Sequence, residues 1–436
     1  MIWYTSQIKY TEVEFKETNC WDRKGFIGGF IMMRLFWATS GVFAALLTFS
    51  ALANAQNVPE RPKPTLDLIS LARQTYIFEL APDTSPTEVR RIARGAAGIG
   101  GGRPEHVYMA VMRGFSARVS DTDLLEIQEE FPEIVGIQRS NIFTISKGKP
   151  PGTPGGGGET SGGKTIPWGV ARVLPKDGDG NTKIQDCEAG CKTVWVLDTG
   201  IDRDNADLNV DIARSKNCIR RGPDDFDDGH GHGTHVAGTI AAIDNDIGVV
   251  GVAAGTTVVA VRVLNKRGSG TTAEVVCGID YVAAKASAGD VANMSLGGPG
   301  DQMLDDAVMA AAGKGIFFSL AAGNDGKLAI GSPARVNHPT HVYTVSAIDS
   351  DDNFAFFSNW GNPPVDFGAP GYSVLSTKKG GGTETKSGTS MAAPHVAGLL
   401  SLKGNVGSCG EAQGDPDGNP DKIAFLSGET CWLPGS

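Results

Sequence analysis

The chain has 436 residues, of which 40% are hydrophobic and 20% charged, a composition typical of folded globular proteins. This length is enough for two folded units once flexible segments are subtracted. The formal net charge is −10, and the sequence contains no stripe of clustered Lys and Arg that could neutralise a phosphate backbone. We therefore expect no nucleic-acid partner.

The first predicted element is an export signal that begins at Met32. Arg34 supplies a positive start, and residues 35–52 form an apolar stretch. The tripeptide Ala53-Asn54-Ala55 has small residues at the two positions that signal peptidase reads. We therefore predict cleavage after Ala55, and a secreted, extracellular protein.

Residues 32–55 are accordingly interpreted as a signal peptide, and residues 1–31 as an upstream extension, with Met32 or Met33 as the true start. The alternative is an uncleaved membrane anchor, for which the apolar stretch is short and interrupted by polar residues and glycine. We expect no stable membrane association, and we expect a monomer.

Residues 74–146 have the pattern of a small α+β unit. Ser85 followed by Glu88 has the spacing of a capping box, and a second helical pattern places Leu124, Leu125 and Ile127 on one side. The predicted elements are, in order, a strand at 75–80, a helix at 85–94, a strand region at 106–119 broken at Gly114, a helix after Ser120, and a strand region at 134–145.

Proline and glycine dominate residues 147–165, which we interpret as an exposed linker. Beyond it, short apolar runs alternate with helical patterns, from a strand at 193–197 to a helix at 390–402. This alternation implies a mostly parallel sheet covered on both faces, so the expected fold class of residues 166–402 is α/β. Residues 403–436 are rich in Gly, Asp and Pro and are interpreted as a divergent C-terminal tail.

Three segments carry the residue types of nucleophilic catalysis. The first, V-W-V-L-D-T-G-I-D, is an apolar strand ending in Asp198, and a buried parallel strand delivers its last residue to the mouth of the sheet. The second, H-G-H-G-T-H-V-A-G-T-I at 230–240, predicts a buried helix of small residues entered at His232. The third, S-G-T-S-M-A-A-P-H-V-A-G at 387–398, is a glycine turn that leads into another small-residue helix.

The third segment places Ser390 at a helix start, where partial positive charge favours negative charge developing nearby. Pro394 is expected in the first turn of that helix, where its missing N–H has no intrahelical partner to lose.

The order Asp, His, Ser along the chain is that of the subtilisin triad. The segments resemble those of the subtilisin-like (S8 family) serine peptidases, and the resemblance covers residues 166 to about 402. It implies a subtilisin-like three-layer domain in which Asp198 is the acid, His232 the base and Ser390 the nucleophile. The implied activity is that of a serine endopeptidase that hydrolyses proteins and peptides through an acyl-enzyme intermediate, with no organic cofactor.

Three other histidines lie within these motifs and are expected to be structural or solvent-facing. The resemblance places the base at the histidine directly before Gly-Thr-His, which is His232. The three others are His230, His235 and His395.

The resemblance further implies an oxyanion hole and a substrate groove. Asn324, in the segment A-A-G-N after an apolar strand, is expected to donate its side-chain amide together with the Ser390 backbone N–H. An extended substrate would add as a strand between two rims, and the small wall residues predict a preference for apolar residues before the cut. The implied groove residues are Gly268, Ser269 and Gly270 on one rim, Ser295, Leu296 and Gly297 on the other, and Ala322 and Gly323 in the pocket wall.

The loop after the His232 helix resembles the strong calcium site of this family. Oxygen-only ligands suit a hard cation, so we expect structural Ca²⁺. The further ligand that the family takes from near the mature N-terminus is not evident, since Lys164 and Thr165 fall there. The implied ligands are the side chains of Asp207 and Asn245 and the carbonyls of Ile243, Ile247 and Val249.

Residues 56–146, with a folded part at 74–146, resemble the inhibitory propeptide of subtilases. The resemblance implies a self-processing zymogen whose own propeptide is an intramolecular inhibitor, with a mature chain that begins between Lys147 and Thr165. The alternative is an unrelated ferredoxin-like domain at this position.

The cysteines predict disulfide bonds. Of seven cysteines, Cys20 precedes the signal, which leaves an even number in an exported chain. Six cysteines allow fifteen connectivities, so the pairing stays open, with Cys187–Cys191 and Cys409–Cys431 as the local candidates.

Two other functions are alternatives to peptide hydrolysis by a serine nucleophile. An aspartic protease needs two carboxylates that share a proton, and the chain has a single D-T-G triplet. A binding or adhesion protein could use the same scaffold without turnover, and active-site labelling separates it from an enzyme.

Overall fold

The computed structural model describes residues 73–145, 159–161, 163–187, 190–220 and 225–431, which belong to one compact unit. The predicted signal peptide and the upstream extension lie outside the described residues, as does most of the predicted linker. Among the helices of the described ranges, none is long and apolar enough to cross a membrane.

The N-terminal part of this unit is a four-stranded antiparallel sheet with two helices, in the strand order β2-β3-β1-β4. Phe78 and Phe115 stack at 4.7 Å in its core, which is closed by the buried face of the first helix. Its elements are β1 (Gln74–Leu80), α1 (Pro86–Ile99), β2 (His106–Tyr108), β3 (Gly114–Val119), α2 (Asp121–Glu130) and β4 (Ile134–Arg139).

Two local expectations for these helices need correction. Ser85 caps α1 by accepting from the Glu88 N–H, but the Glu88 carboxylate binds Arg91 instead of the Ser85 backbone, so the predicted capping box is half formed. In α2 the side chain of Leu125 is 72% exposed while Ile127 is buried, because only one narrow face of this polar helix meets the core. The reciprocal capping box occurs in α2, between Ser120 and Asp123.

The following segments contain helices separated by runs of two to five strands. They are β5 (Ile142–Ile145), β6 (Glu159–Ser161), β7 (Lys164–Ile166), α3 (Trp168–Val173), β8 (Val194–Asp198), β9 (Lys216–Asn217), α4 (His232–Ala241), β10 (Val258–Arg262), β11 (Ser269–Thr271), α5 (Thr272–Lys285), β12 (Val291–Met294), β13 (Leu296–Gly297), α6 (Gln302–Ala312), β14 (Phe317–Ala321), β15 (Val342–Ile348), β16 (Val365–Pro370), β17 (Val374–Thr377), β18 (Thr383–Lys386), α7 (Thr389–Lys403), β19 (Val406–Glu411) and β20 (Lys422–Leu426).

A nine-stranded sheet in the order β19-β20-β16-β15-β14-β12-β8-β10-β9 forms the centre of the molecule. Neighbouring strands of this sheet pair in parallel, except that β19 and β20 pair antiparallel. Val194 and Val196 of β8 pack with α4 and α7, whereas Trp195 and Leu197 pack with α5 and α6. The sheet is thus covered on both faces, which confirms the predicted α/β, three-layer fold.

Parts of the predicted linker and tail take part in regular structure. Within the linker, β6 pairs with β7 as an antiparallel hairpin. Within the tail, β19 and β20 extend the central sheet beyond β16. Arg172 of α3 donates to the Cys409 carbonyl of β19 and also forms a bidentate ion pair with Asp352, between β15 and β16. The tail therefore completes the sheet edge.

Three disulfides cross-link the described chain. Cys187–Cys191 and Cys409–Cys431 are the two local pairs expected from spacing, and Cys218–Cys277 joins the segment after β9 to α5. The last bond spans 59 residues, too far for the sequence alone to indicate it.

Candidate functional site

Asp198 is the last residue of β8 and is fully buried at the carboxyl edge of the central sheet. All five residues of β8 are buried, which is why the strand is uniformly apolar until its final residue. The Thr199 backbone N–H donates to Asp198 Oδ1 at 2.7 Å. The carboxylate is thereby held in a fixed direction.

His232 is the first residue of α4 and faces this carboxylate. Its Nδ1 lies 2.8 Å from Asp198 Oδ1 and 2.9 Å from Oδ2. Because a carboxylate accepts, Nδ1 carries the proton in the neutral ring, and Nε2 carries the lone pair. Nε2 is buried and has no hydrogen-bond partner among the described residues. The lone pair of His232 Nε2 is thus available to accept a proton.

The three other motif histidines are placed differently. His235 Nε2 contacts the backbone carbonyls of Val374 and Glu384, and burial lowers the pKa of this ring to about 3. His395 Nδ1 bonds the Met391 carbonyl within α7, and burial lowers its pKa to about 4. His230 is exposed, and its ring centroid lies 6.4 Å from that of His232. His235 and His395 therefore serve as neutral packing groups.

Ser390 is the second residue of α7, after the N-cap Gly388. Its Oγ donates to the Ser295 carbonyl at 3.0 Å, and Ser295 Oγ donates to the Ser390 carbonyl at 2.9 Å. The side chain is fully buried in this structure.

Pro394 lies in the interior of α7, not in its first turn as the sequence predicted. A proline there leaves the carbonyl four residues earlier without its helical partner, and that carbonyl belongs to Ser390. Ser295 Oγ supplies the missing donor. The proline is therefore tolerated because a groove residue satisfies the freed oxygen, and the same contact fixes Ser390 against β13.

Asn324 follows β14 and lies beside the start of α7. Its Oδ1 accepts from the Thr389 N–H at 2.8 Å, and the Gly323 N–H donates to Thr389 Oγ1 at 3.1 Å. The first contact assigns the amide oxygen to the Thr389 N–H, so the Nδ2 group lies on the other side of the same amide. Asn359, which no sequence signal indicated, steadies this wall through bonds to the Ala322 carbonyl and the Asp325 N–H.

β5 lies as the central strand between the two predicted rims. Ile145 pairs with Leu296 and Thr144 with Gly297 on one side, while Thr144 and Phe143 pair with Ser269 and Gly270 on the other. All pairings are antiparallel, and the Ile145 N–H donates to the Gly268 carbonyl at 2.9 Å. The chain's own segment thus makes the main-chain bonds that an extended peptide would make.

A cavity of about 740 Å³ opens beside the end of β5. Its wall contains an acidic residue that the sequence pattern did not predict there, Asp325, whose carboxylate pairs with Lys327 at 3.0 Å. The lining also includes polar residues such as Arg267 and Ser332, together with small or apolar ones, which are Gly297, Ala321, Ala322, Gly323, Ile330 and Ala334.

The N-terminal sheet unit is held against α5 and α6 by two aspartates. Asp280 Oδ1 accepts three consecutive backbone N–H groups, those of residues 109–111, at 2.6 to 3.0 Å. Asp301, which caps α6, accepts from Gln138 at 2.6 Å and from Asn141 at 2.9 Å. These contacts hold β5 in the groove from outside it.

Two residues of the predicted calcium site, Asn245 and Val249, donate to the carboxylate of a third, Asp207. Asp207 is 5% exposed and accepts from Asn245 Nδ2 and the Val249 N–H, each at 3.1 Å, and neither donor is charged. Burial raises the pKa of Asp207. Ile243 and Ile247 belong to the same loop. Between them these residues carry carboxylate, amide and carbonyl oxygens, the ligand types that Ca²⁺ prefers.

Two further observations bear on this loop. Lys164 forms an ion pair with Asp244, at the position where the family has a further ligand. In the described ranges no group of three or more His, Cys, Asp or Glu side chains is arranged to hold a metal, so a site here would depend largely on carbonyl oxygens.

Known proteins resemble this chain over most of its length. A sequence model of the Subtilase family matches residues 192–405. The subtilisin-like serine protease AsES of Sarocladium strictum is 34% identical over 82% of this chain and 91% of its own. The alkaline serine protease ver112 of Corniculantispora psalliotae is 36% identical over 71% and 78%. A crystal structure of a cold adapted subtilisin-like serine proteinase superposes with a TM-score of 0.52, at 38% identity, over 61% of this chain and 99% of that one.

Proposed function

The chain belongs to the subtilase family of serine peptidases, and we propose that it cuts proteins with Ser390 as nucleophile, His232 as base and Asp198 as the group that orients the base. The contact between His232 Nδ1 and the buried Asp198 carboxylate supports these roles most directly. It leaves His232 Nε2 as the acceptor for a proton from the Ser390 hydroxyl.

The proposed mechanism follows from these positions. Ser390 Oγ leaves the Ser295 carbonyl, transfers its proton to His232 Nε2, and attacks the substrate carbonyl to form a tetrahedral adduct. Asp198 stabilises the resulting imidazolium. The Asn324 side-chain amide and the Ser390 N–H bind the developing oxyanion. His232 then protonates the leaving amine, and the acyl group stays on Ser390. Water, deprotonated by His232, attacks this acyl-enzyme, and His232 returns the proton to Ser390 Oγ as the acid product leaves.

We further propose that the protein is made as a zymogen inhibited by its own N-terminal unit. The support is β5, which occupies the groove as a substrate would. Ile145 pairs with Leu296 in antiparallel register, so the next residue of the chain would pair with Ser295. The Ser295 carbonyl accepts from Ser390 Oγ. The following peptide bond in the chain is the one after Ser146. We therefore propose self-cleavage between Ser146 and Lys147.

The N-terminal residues of the wild-type and Ser390→Ala proteins test both the self-cleavage and the export. Wild-type protein collected from the culture medium is expected to begin at Lys147, and the Ser390→Ala protein at Gln56, since signal peptidase acts on both and self-cleavage on the first alone. N-terminal sequencing measures both. Intact precursor from wild type, or equal processing of Ser390→Ala, would contradict self-cleavage.

The groove supports a preference for apolar residues on the acyl side of the cut. Phe143 is fully buried and Ile145 is 6% exposed between the rims, while the cavity wall includes Ala321, Ala322 and Gly323. Burying a side chain of this size contributes about 1.5 to 3 kcal/mol. The Asp325 carboxylate is paired with Lys327 and so makes a weak anchor for a basic substrate residue.

We propose that Ca²⁺ binds at Asp207 and stabilises the loop between α4 and β10. Exhaustive chelation is expected to lower Tm by about 5 to 10 °C, because a ligand that binds only the folded state stabilises it by about 3 kcal/mol at a hundredfold excess over Kd. Thermal unfolding of processed enzyme, with and without chelator, measures the shift. Asp207→Asn is the matched control and should lose the calcium response. An unchanged Tm in wild type would reject the site.

Export to an oxidising compartment is proposed on the signal pattern and on the disulfides. Three cross-links in a chain of this kind are typical of extracellular proteins. We propose that the processed enzyme acts there as a monomer.

A further inference from the structure

Asp228 lies four residues before His232 and is 1% exposed. Its carboxylate accepts hydrogen bonds from uncharged donors only. The donors to Oδ1 are Thr199 Oγ1, the His230 N–H and the Gly231 N–H, each at 2.8 Å, and the donors to Oδ2 are the Thr234 N–H at 3.0 Å and Thr234 Oγ1 at 2.6 Å.

These bonds join the two segments that carry the acid and the base. Thr199 directly follows Asp198, and its Oγ1 also accepts from the Gly233 N–H at 3.0 Å, next to His232. Thr234 Oγ1 accepts in turn from the Asp202 N–H at 3.0 Å. One carboxylate therefore connects the loop at 198–202 to the first turn of α4.

The start of α4 depends on Asp228 because it has no ordinary cap. The N-cap is Gly231, with φ 102°, and it has no side chain to accept a helix N–H. Asp228 accepts from the third helical residue, Thr234, which is the donor that an N-cap side chain usually takes. The first turn of α4 also packs so closely against the loop at 198–202 that no side chain fits at Gly233, where a Cβ would lie 2.1 Å from the Gly200 carbonyl oxygen.

The carboxylate is ionised in this setting. Burial would raise the pKa of Asp228, but the hydrogen bonds from Gly231, Thr234 and His230 together hold it below its usual value. An anion accepts all of these bonds at once, whereas an amide offers one accepting oxygen and turns its NH₂ toward other donors.

We propose that Asp228 is a positioning residue for peptide hydrolysis, which sets the place of the His232 ring relative to Asp198 and Ser390. The inference rests on the proposed function of this triad. Proton transfer requires Ser390 Oγ to reach His232 Nε2, and the ring is placed by the backbone that Asp228 holds. A displacement of about 1 Å between reacting groups can cost about a hundredfold in rate.

Asp228→Asn is expected to lower kcat about 10- to 100-fold while KM changes by less than about twofold, because the groove rims are untouched. Steady-state hydrolysis of an apolar peptide by processed enzyme measures both constants. The matched control is Asp290→Asn. Asp290 is 6% exposed, accepts from Trp195 Nε1 at 3.1 Å, and precedes β12 at the opposite edge of the sheet. That control should lose stability with kcat retained.

A second pair of variants covers the case in which Asp228→Asn does not fold. Thr199→Val removes the hydroxyl that bridges Asp228 and Gly233 and should lower kcat, whereas Thr199→Ser retains it and should stay near wild type. An unchanged kcat in Asp228→Asn or Thr199→Val, or an equal loss of kcat in Asp290→Asn, would overturn this inference and leave the proposed function intact. Wild-type enzyme that cleaves no peptide would overturn the proposed function and this inference with it.

Discussion

Replacing Ser390 by alanine is expected to lower kcat by about a million-fold, because the variant lacks the only hydroxyl that the mechanism uses for attack. KM should change little, since the rims of β11 and β13 that bind the peptide backbone do not involve this side chain. The residual rate would come from binding and the oxyanion donors. Hydrolysis of an apolar peptide by the processed variant measures the loss.

The variant will not remove its own N-terminal unit, so both proteins should be processed by a cysteine peptidase that is then blocked with a thiol reagent. Ser401→Ala is the matched control. Ser401 is a buried serine on the same helix, and its Oγ bonds the Lys192 carbonyl at 2.6 Å. It should retain activity. A Ser390→Ala enzyme within tenfold of wild type would refute the assignment of the nucleophile.

Asn324→Ala should lower kcat by about 10² to 10³-fold, which corresponds to about 2.7 to 4 kcal/mol of transition-state stabilisation. The amide is expected to bind the oxyanion, which exists only during reaction, so KM should change far less than kcat. The Thr389 N–H that now donates to Asn324 Oδ1 fixes the amide direction in advance. Steady-state kinetics on processed enzyme separates the two constants.

Asn353→Ala provides the comparison for this change. Asn353 is an exposed residue whose amide contacts Asp349 in a turn after β15, and its loss should leave kcat unaltered. Equal changes in kcat and KM for Asn324→Ala would mean that the amide binds the substrate in its ground state, and the oxyanion assignment would then be wrong.

The α/β fold and the triad segments could be predicted because their signals are local. β8 is apolar through every residue before Asp198, since both faces of a parallel strand are covered. All ten residues of α4 are buried, as its run of small residues indicated. The glycine turns before His232 and Ser390 likewise mark sharp changes of chain direction.

Contacts between distant segments could not be predicted in the same way. Pro394 was expected in a first turn because the sequence does not show that Ser295 satisfies the freed Ser390 carbonyl. The strand pattern at 134–145 does not reveal that it divides, with β4 in the N-terminal sheet and β5 in the groove. The role of Asp228 could not be predicted from the sequence either, because its partners are backbone N–H groups and hydroxyls, which any sequence supplies.

Labelling by a fluorophosphonate tests the central claim most directly, because this reagent bonds covalently to an activated serine. Processed wild-type enzyme should take up one label, mapped by peptide mass to Ser390, and Ser390→Ala should take up none. Label on another residue, or wild-type protein that stays unlabelled, would contradict the account and favour a binding protein on the same scaffold.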